Sequence, residues 1–473
     1  MIRAALAAAV VAGAGLGCGG QATLPAEVAG ADTALAACRA KADEDERLAC
    51  FTALHAVTPL EAPPTVSDAR FAAGVGLFTS TRLSGTGTVA CVSCHANNNA
   101  GIEGPVTIGG RTLTRALHPS LRGGAVDDPA NTRSIARNAP DLVNKLLGGP
   151  RVMFHDGRVA LDGRGGFLTP MGDQLPPGLE NLLAAQALVP LLTRDEMLGY
   201  APGSNGGRSE NAVAGLVGDP VETDPWPVWN ALMQRLREDP ALFASLAAAF
   251  PDVPADRLGI VHVANALAAF QTRRWNATGS SHGFHGWLRD RTRWPLAAEQ
   301  RRGALIFFDH GGCARCHHGP RLSDGRFHNL AVPQIGPGHG RGALETPPVD
   351  RGRHEVTGQD GDRYGFLTPS LWEVRATAPY FHNGVYDSLE KTLRHHLDPA
   401  AHARAFRCER DAPLAQDGVR VACRDSIDAP ALYADMLDRL APELQGPPAL
   451  SEQEIADLLA FLRTLSNGNN GGG

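Results

Sequence analysis

Two pentads constrain this chain more than any other feature: Cys91-Val92-Ser93-Cys94-His95 and Cys313-Ala314-Arg315-Cys316-His317. Covalent attachment of a c-type haem needs this pattern, because each thiol adds across a vinyl group and the adjacent imidazole is held beneath the iron. A redox dithiol or half of a zinc site would account for Cys-x-x-Cys, but neither explains a histidine directly after the second cysteine in both copies. The chain is therefore expected to carry two covalently bound haems, with Cys91, Cys94, Cys313 and Cys316 as thioether positions and His95 and His317 as proximal iron ligands.

At 473 residues and 43% hydrophobic content, the chain is long enough for more than one core. The net charge of -6 gives no reason to expect nucleic acid as a partner. Residues 1–20 read as an export signal, with Arg3 at the positive start, an apolar stretch over residues 4–14 and a small-residue end. Gly15-Leu16-Gly17-Cys18 resembles a bacterial lipoprotein box, which would place a lipid on Cys18. Gly15 stands where such a box usually has leucine, and the alternative is cleavage to a soluble periplasmic protein. No later segment is apolar for long enough to span a bilayer. Four further cysteines form two nearby pairs, and an oxidising compartment favours the disulfides Cys38–Cys50 and Cys408–Cys423 over free buried thiols.

Residues 32–54 read as a short helical hairpin stapled by its cystine, and Glu61-Ala62-Pro63-Pro64 as the linker that closes an extension over residues 21–65. Residues 68–78 have apolar positions at helical spacing and lead through Gly-rich chain to the first pentad; residues 298–308 do the same before the second. This repeated order predicts two cytochrome c-like haem domains, an N-terminal one over residues 66–280 and a C-terminal one over residues 281–465. Further helices are expected over residues 229–250, 258–273 and 451–465, the last with Ser451 and Glu454 in capping-box relation. Residues 200–226 lack a sustained period and read as a surface loop, and residues 466–473 as a disordered tail. Strand signals are weak, so the fold class is mainly α, two haem domains with an N-terminal helical extension.

Further motifs follow in order: Arg137-Asn138-Ala139-Pro140, Phe154-His155-Asp156-Gly157-Arg158, Gln186 through Glu196-Met197, and Thr377-Ala378-Pro379-Tyr380-Phe381-His382-Asn383-Gly384. Together with the two pentads, the first ahead of them and the second before Thr377, they resemble the bacterial di-haem cytochrome c peroxidase and MauG superfamily over roughly residues 66–465. The resemblance implies that one haem activates hydrogen peroxide while the other relays oxidising equivalents. It implies Glu196 as the distal general acid/base, Gln186 as the distal glutamine and Pro190 as the proline that MauG-type members place over the iron. The bland alternative for Gln186 and Glu196 is a solvated helix face.

Three departures shape the expectation. The loop that closes the resting peroxidatic haem with a histidine aligns so that Gly110 falls on the ligand position, and glycine cannot ligate; His118 lies further along and could reach back. The first haem is thus expected to be five-coordinate, as in MauG. The sixth-ligand position of the second haem falls on His396, with His395 beside it, in place of methionine or tyrosine; two histidines would give a low-spin, closed iron of lower potential than His/Met. His155 stands where the family has a tryptophan between the haems, and an imidazole is harder to oxidise. The resemblance also implies one Ca2+ held by the Asn138 side chain and the Thr377 and Pro379 carbonyls, hard oxygen donors of the right kind; a turn-capping asparagine is the alternative. Arg158 and His382 are expected as charge and hydrogen-bond partners at the domain interface.

The leading expectation is an exported, periplasmic enzyme that reacts with hydrogen peroxide at the first haem and draws electrons through the second from an aromatic residue of a partner protein. The rivals are peroxide detoxification fed by a small redox protein, and a non-catalytic carrier with both irons closed. Trp226, Trp229, Trp275, Trp287, Trp294 and Trp372 include candidate hopping stations that the sequence does not rank.

Overall fold

The computed structural model describes residues 26–95, 106–108, 111–113, 137–201, 211–276, 283–335, 338–339, 349–411, 430–446 and 448–466. The signal segment with Cys18, the positions Gly110, His118 and Cys423, and the tail lie outside the described residues. The described chain is mainly helical. Its helices are α1 (Ala26–Arg39), α2 (Glu44–Leu54), α3 (Asp68–Thr79), α4 (Cys91–Cys94), α5 (Leu182–Ala187), α6 (Trp226–Arg237), α7 (Pro240–Ala249) and α8 (Ile260–Arg274). They continue with α9 (Gly283–Arg289), α10 (Ala298–Phe308), α11 (His354–Thr357), α12 (Leu389–Leu397), α13 (Pro399–Ala405), α14 (Cys408–Asp411), α15 (Pro430–Asp438) and α16 (Glu452–Arg463).

The same helix crossing is built twice. Helix α3 buries Ala73, Leu77 and Phe78 against α8, and α10 buries Ala304, Phe307 and Phe308 against α16. Each crossing is close enough to require a glycine. A Cβ at Gly74 would collide with the Ala266 carbonyl and Phe270; one at Gly303 would collide with the Asp457 carbonyl and Phe461. Four residues after each glycine a phenylalanine approaches the pentad histidine: Phe78 and His95 have ring centroids 6.4 Å apart, and Phe307 and His317 also 6.4 Å. Ser451 caps α16 and Glu454 reaches back to its N–H at 2.8 Å, the reciprocal cap that the sequence announces.

Two main apolar clusters result. One is drawn from residues 73–275, the other from residues 284–465 together with Cys38, Leu48, Phe51, Val57, Leu60 and Leu147. The extension therefore packs with the second cluster although it precedes the first in sequence. Helices α1 and α2 are joined by the Cys38–Cys50 disulfide. They face α10 and its neighbours through Arg301–Glu44 at 2.9 Å, Arg39–Asp309 at 2.6 Å and a Trp287 Nε1 hydrogen bond to Asp45 at 3.2 Å. Cys408 is also disulfide-bonded.

Small antiparallel sheets punctuate the helices: β1 (Val106–Ile108) with β2 (Arg111–Leu113), β3 (Val152–Met153) with β4 (Val159–Leu161) and β5 (Phe167–Leu168), and β6 (Phe327–His328) with β7 (Phe366–Leu367). Two expectations need correction. The single helix over residues 229–250 is two helices, because Pro240 cannot continue α6 and instead takes the first turn of α7, capped by Asp239 accepting from the Leu242 N–H. The described parts of the stretch 200–226, residues 200–201 and 211–226, are irregular but not superficial: Tyr200, Asn211, Val213, Ala214 and Val221 are buried. Side chains there replace secondary structure. Asn211 donates to the Leu198 carbonyl and accepts from the Ala214 N–H, which satisfies backbone groups that no ladder pairs.

Candidate haem sites and the interface between them

The second pentad opens on Gly312 in the left-handed region and folds as a single 3-10 turn over Cys313–Arg315. Cys313, Cys316 and His317 line a cavity of about 480 Å³, and His396 of α12 lines the same cavity. The two imidazoles are prepared alike. Nδ1 of His317 donates to the Leu322 carbonyl at 3.0 Å, and Nδ1 of His396 to the Thr392 carbonyl at 2.8 Å. A carbonyl only accepts, so each ring carries its proton on Nδ1 and keeps a lone pair on Nε2, the form an iron requires. Burial holds both neutral, lowering His317 to about 4 and shifting His396 downward. His395 is different. It is 0% exposed, with Nε2 on the Leu330 carbonyl at 2.9 Å and Nδ1 on the Tyr386 hydroxyl at 3.1 Å, so both nitrogens are committed elsewhere. An apolar cavity with Cys-x-x-Cys-His and a second prepared imidazole fits a haem.

At the first pentad, α4 brings Cys91 to the core and burial pushes its thiol up to about 12, as it does for Cys313. His95 closes the turn by donating its backbone N–H to the Cys91 carbonyl at 2.9 Å. Helix α5, capped by Asn181, carries Gln186, after which the chain turns at Pro190 into one π-turn over Arg194–Leu198. The Pro190 carbonyl accepts the Met197 N–H at 3.3 Å, so Pro190 and Glu196 belong to one compact turn. Arg194 clamps that turn through Asp219 at 2.7 Å and through the Ala214 and Val217 carbonyls at 3.3 and 3.2 Å. Glu196 is partly exposed, and its Oε1 lies 4.0 Å from Nη2 of Arg158. Arg158 is itself fixed by Asp156 at 3.1 Å and by the Phe154 ring, 4.0 Å from its guanidinium carbon. Gln186 lies on the wall of the cavity that holds the second pentad.

His155 lines that cavity too. Its Nε2 donates to the Asn138 carbonyl at 2.9 Å, and burial lowers its pKa to about 4. Next to it, Asn138 donates its backbone N–H to the His382 carbonyl and its side-chain Nδ2 to the Pro379 carbonyl, both at 2.6 Å. Asn138 Oδ1 is buried without a hydrogen-bond partner. A half-turn of the amide would aim that oxygen at the Pro379 carbonyl, a pairing of two acceptors that only a cation could hold. Thr377 lines the same cavity. This orphaned oxygen, on an amide already against the Pro379 carbonyl, is the donor type that fits a hard cation such as Ca2+. His382 stacks on Phe366 with ring centroids 3.5 Å apart, and Arg158 bonds Asp156.

Sequence reasoning missed the charge cluster that joins these segments. Arg137 makes a two-pronged contact with Asp350 at 2.6 and 2.7 Å and a third bond to Asp156 at 2.6 Å, all buried. The signal was half present, since Arg137 and Asp156 both stand in quoted motifs; Asp350 is distant in sequence and stands in none. Among the described residues, Cys316, Asp324 and His328 also place metal-type donor atoms within 4.8 Å of one another. Cys316 is a pentad cysteine, and His328 is satisfied by Asp324 at 2.7 Å.

The chain resembles known proteins over the same span. A family model described as di-haem cytochrome c peroxidase matches residues 68–292. The methylamine utilization protein MauG of Methylorubrum extorquens is 27% identical over 449 residues, 95% of this chain and 89% of that protein. A cytochrome-c peroxidase of Denitromonas iodatirespirans is 26% identical over 367 residues, 72% of this chain and 77% of the relative. Among solved structures, a MauG-like protein associated with microbial copper homeostasis superposes with a TM-score of 0.52 at 23% identity, covering 88% of this chain and 95% of that one, a likeness of fold. With the paired pentads and prepared imidazoles already in place, these matches make the chain similar to the di-haem cytochrome c peroxidase and MauG superfamily of haem-dependent oxidoreductases.

Proposed function

We propose that the chain is an exported di-haem c-type peroxidase, acting on hydrogen peroxide at the first haem and withdrawing electrons through the second from an aromatic (Trp) residue of a partner protein, as MauG-type enzymes do. The observation that carries it is the clamped turn in which Pro190 and Glu196 sit together with Arg158 beside the carboxylate. When bound, the first haem supplies the iron to which peroxide adds and at which the O–O bond is cleaved. Glu196 moves the proton: its carboxylate accepts it from the near peroxide oxygen and returns it to the far one, which leaves as water. Arg158 lies beside that carboxylate, 4.0 Å from its Oε1. Gln186, on the cavity wall, is read as the family's glutamine.

His95 and His317 are the proximal ligands in this reading. His317 and His396, which line one cavity, would hold the iron of the second haem, an arrangement that would suit a relay rather than a peroxide site. The twice-built helix crossing supports two cytochrome c-like domains, residues 66–280 and 281–465, with residues 21–65 as an extension of the second. Asn138, Thr377 and Pro379 are the ligands proposed for Ca2+ between them. The export signal and the disulfides support a periplasmic location, with Cys18 the position of a lipid anchor; among the described residues no helix is long and apolar enough to cross a membrane.

A second reading, peroxide detoxification with a small redox protein as donor, is favoured by one residue: His155 lacks the oxidisable ring that the family's tryptophan supplies. The deciding experiment is Glu196→Gln, with rapid mixing of the ferric holoprotein and hydrogen peroxide. The proton-transfer role predicts a rate lower by roughly 10²–10⁴-fold. An unchanged rate removes Glu196 from the mechanism, and two low-spin haems that ignore peroxide would make the protein a carrier rather than an enzyme.

A further inference from the structure

Arg321 lines the same cavity as the second pentad, a short loop beyond His317, and the reading above gives it no task. Its Nη1 donates to two backbone carbonyls, that of Asn144 at 3.0 Å and that of Leu147 at 2.8 Å. The chain makes room for the side chain: Gly148 lies in the left-handed region, and a Cβ there would come within 2.6 Å of Cγ of Arg321. Among the described residues, Nε and Nη2 make no hydrogen bond, and no carboxylate forms an ion pair with the guanidinium. Asp141 acts on it only through space and is already paired with Lys145 at 2.9 Å.

Arg137 shows the contrast within one molecule. Its Nε and Nη2 grip Asp350 at 2.6 and 2.7 Å, and its Nη1 bonds Asp156 at 2.6 Å. Burial alone would lower the pKa of either arginine; at Arg137 the two carboxylates outweigh it, whereas at Arg321 the shift stays downward. Arg321 keeps its charge all the same, because a guanidinium does not deprotonate in a protein. A ligand filling the cavity takes water from that charge, which is costly unless the ligand repays it with an opposite one. The edge left over, Nε with Nη2, presents two parallel N–H donors, the fork that fits a carboxylate. A haem carries its own carboxylates, the propionates.

We propose that Arg321 is a haem-binding residue whose Nε–Nη2 edge pairs with a propionate of the second haem while Nη1 anchors the guanidinium to the Asn144 and Leu147 carbonyls. The inference rests on the reading of the second pentad as a haem site. It ties the edge of that haem to a segment 177 residues away in sequence. It also bears on the relay. A cation beside the porphyrin favours the iron state with one positive charge fewer, so Arg321 raises a potential that two imidazole ligands would set low.

The test uses the full-length holoprotein with Arg321→Gln and Arg321→Lys. Two properties of the low-spin haem are measured: the propionate bending band in resonance Raman spectra excited in its Soret band, and the midpoint potential from a spectroelectrochemical titration. Arg321→Gln should shift the band and lower the potential while the absorption stays low-spin. Arg321→Lys keeps the charge but not the fork, so it should shift the band and hold the potential closer to that of the wild type. An arginine that served only to bond the Asn144 and Leu147 carbonyls would lower stability and move neither property. A band left at its wild-type position in Arg321→Gln overturns the pairing, and an unchanged potential overturns the placement of the charge at the haem edge. If Arg321→Gln fails to take up its second haem, the band in Arg321→Lys decides in the same way. A wild-type protein with one haem per chain removes the haem reading of the second pentad itself, and a haem count made before any variant tells that outcome from the others.

Discussion

The buried quartet Arg137, Asp156, Arg158 and Asp350 lends itself to a thermodynamic cycle with a sign fixed in advance. Two guanidiniums and two carboxylates sum to zero charge, and their side chains are 1–12% exposed. Burial alone would raise both carboxyls, but the neighbouring guanidiniums outweigh it and hold Asp156 and Asp350 well below the usual carboxylate range. Asp350→Leu removes one anion and strands a positive charge in the interior, a loss of roughly 3–5 kcal/mol. Adding Arg137→Met removes that charge and leaves Asp156 neutralised by Arg158 alone. The double variant should therefore be more stable than Asp350→Leu, recovering about 2 kcal/mol or more, because replacing a buried pair by apolar groups is close to neutral. Urea denaturation of the holoprotein, followed by far-ultraviolet dichroism and haem absorption, measures it. With a slope of about 2–3 kcal/mol per M, the single variant's midpoint falls by roughly 1–2 M. Acid adds a second reading. A carboxyl whose folded pKa is depressed contributes stability above its unfolded value near ~4 that disappears as pH falls below it. The acid limb of the double variant should thus be shallower than that of the wild type. Losses that simply add in the double variant would refute the charge argument.

Two further expectations concern ligands. His396→Ala should convert the second haem from low to high spin, whereas His395→Ala should keep the low-spin spectrum and instead lose about 1–3 kcal/mol for each buried group it strands, namely the Tyr386 hydroxyl and the Leu330 carbonyl; the opposite spectral pattern would transfer the ligand to His395. Calcium at Asn138 predicts that a chelator lowers the thermal midpoint of the wild type, since a cation at 100 times its dissociation constant contributes about 2.7 kcal/mol. Asn138→Ala should be insensitive to the chelator, and equal sensitivity in both proteins would place the ion elsewhere.

How much of this was legible in the sequence depended on how local each signal is. The limits of α3, α10 and α16 follow from apolar spacing and caps, and the structure places them within two residues of the sequence reading. The break between α6 and α7 was equally local, an Asp-Pro pair that reads as a cap and first helical residue, and apolar content on both sides masked it. Residues 211–221 could not be read by periodicity at all, because their burial depends on Asn211 and Arg194 satisfying carbonyls with side chains. The choice between His395 and His396 was beyond the sequence for another reason. Adjacent helix positions point about 100° apart, and which of them faces the cavity is set by how α12 rolls against Phe381 and Tyr386. Asp350 lay furthest from view, 213 residues from its partner.

Position 155 shows how a substitution can separate two roles that one side chain combined. A tryptophan there would bring both an oxidisable ring and one N–H donor. The imidazole keeps the donor: with Nε2 protonated it bonds the Asn138 carbonyl, while its own carbonyl accepts the Leu367 N–H at 2.8 Å. His155 therefore still ties the Asn138 segment to β7, and burial keeps it neutral so that the tie costs no buried charge. Only the ring's capacity to carry an oxidising equivalent is given up. Electrons passing between two bound haems would then have to tunnel past His155. Position 155 thus keeps the strut between the Asn138 segment and β7 without the oxidisable ring.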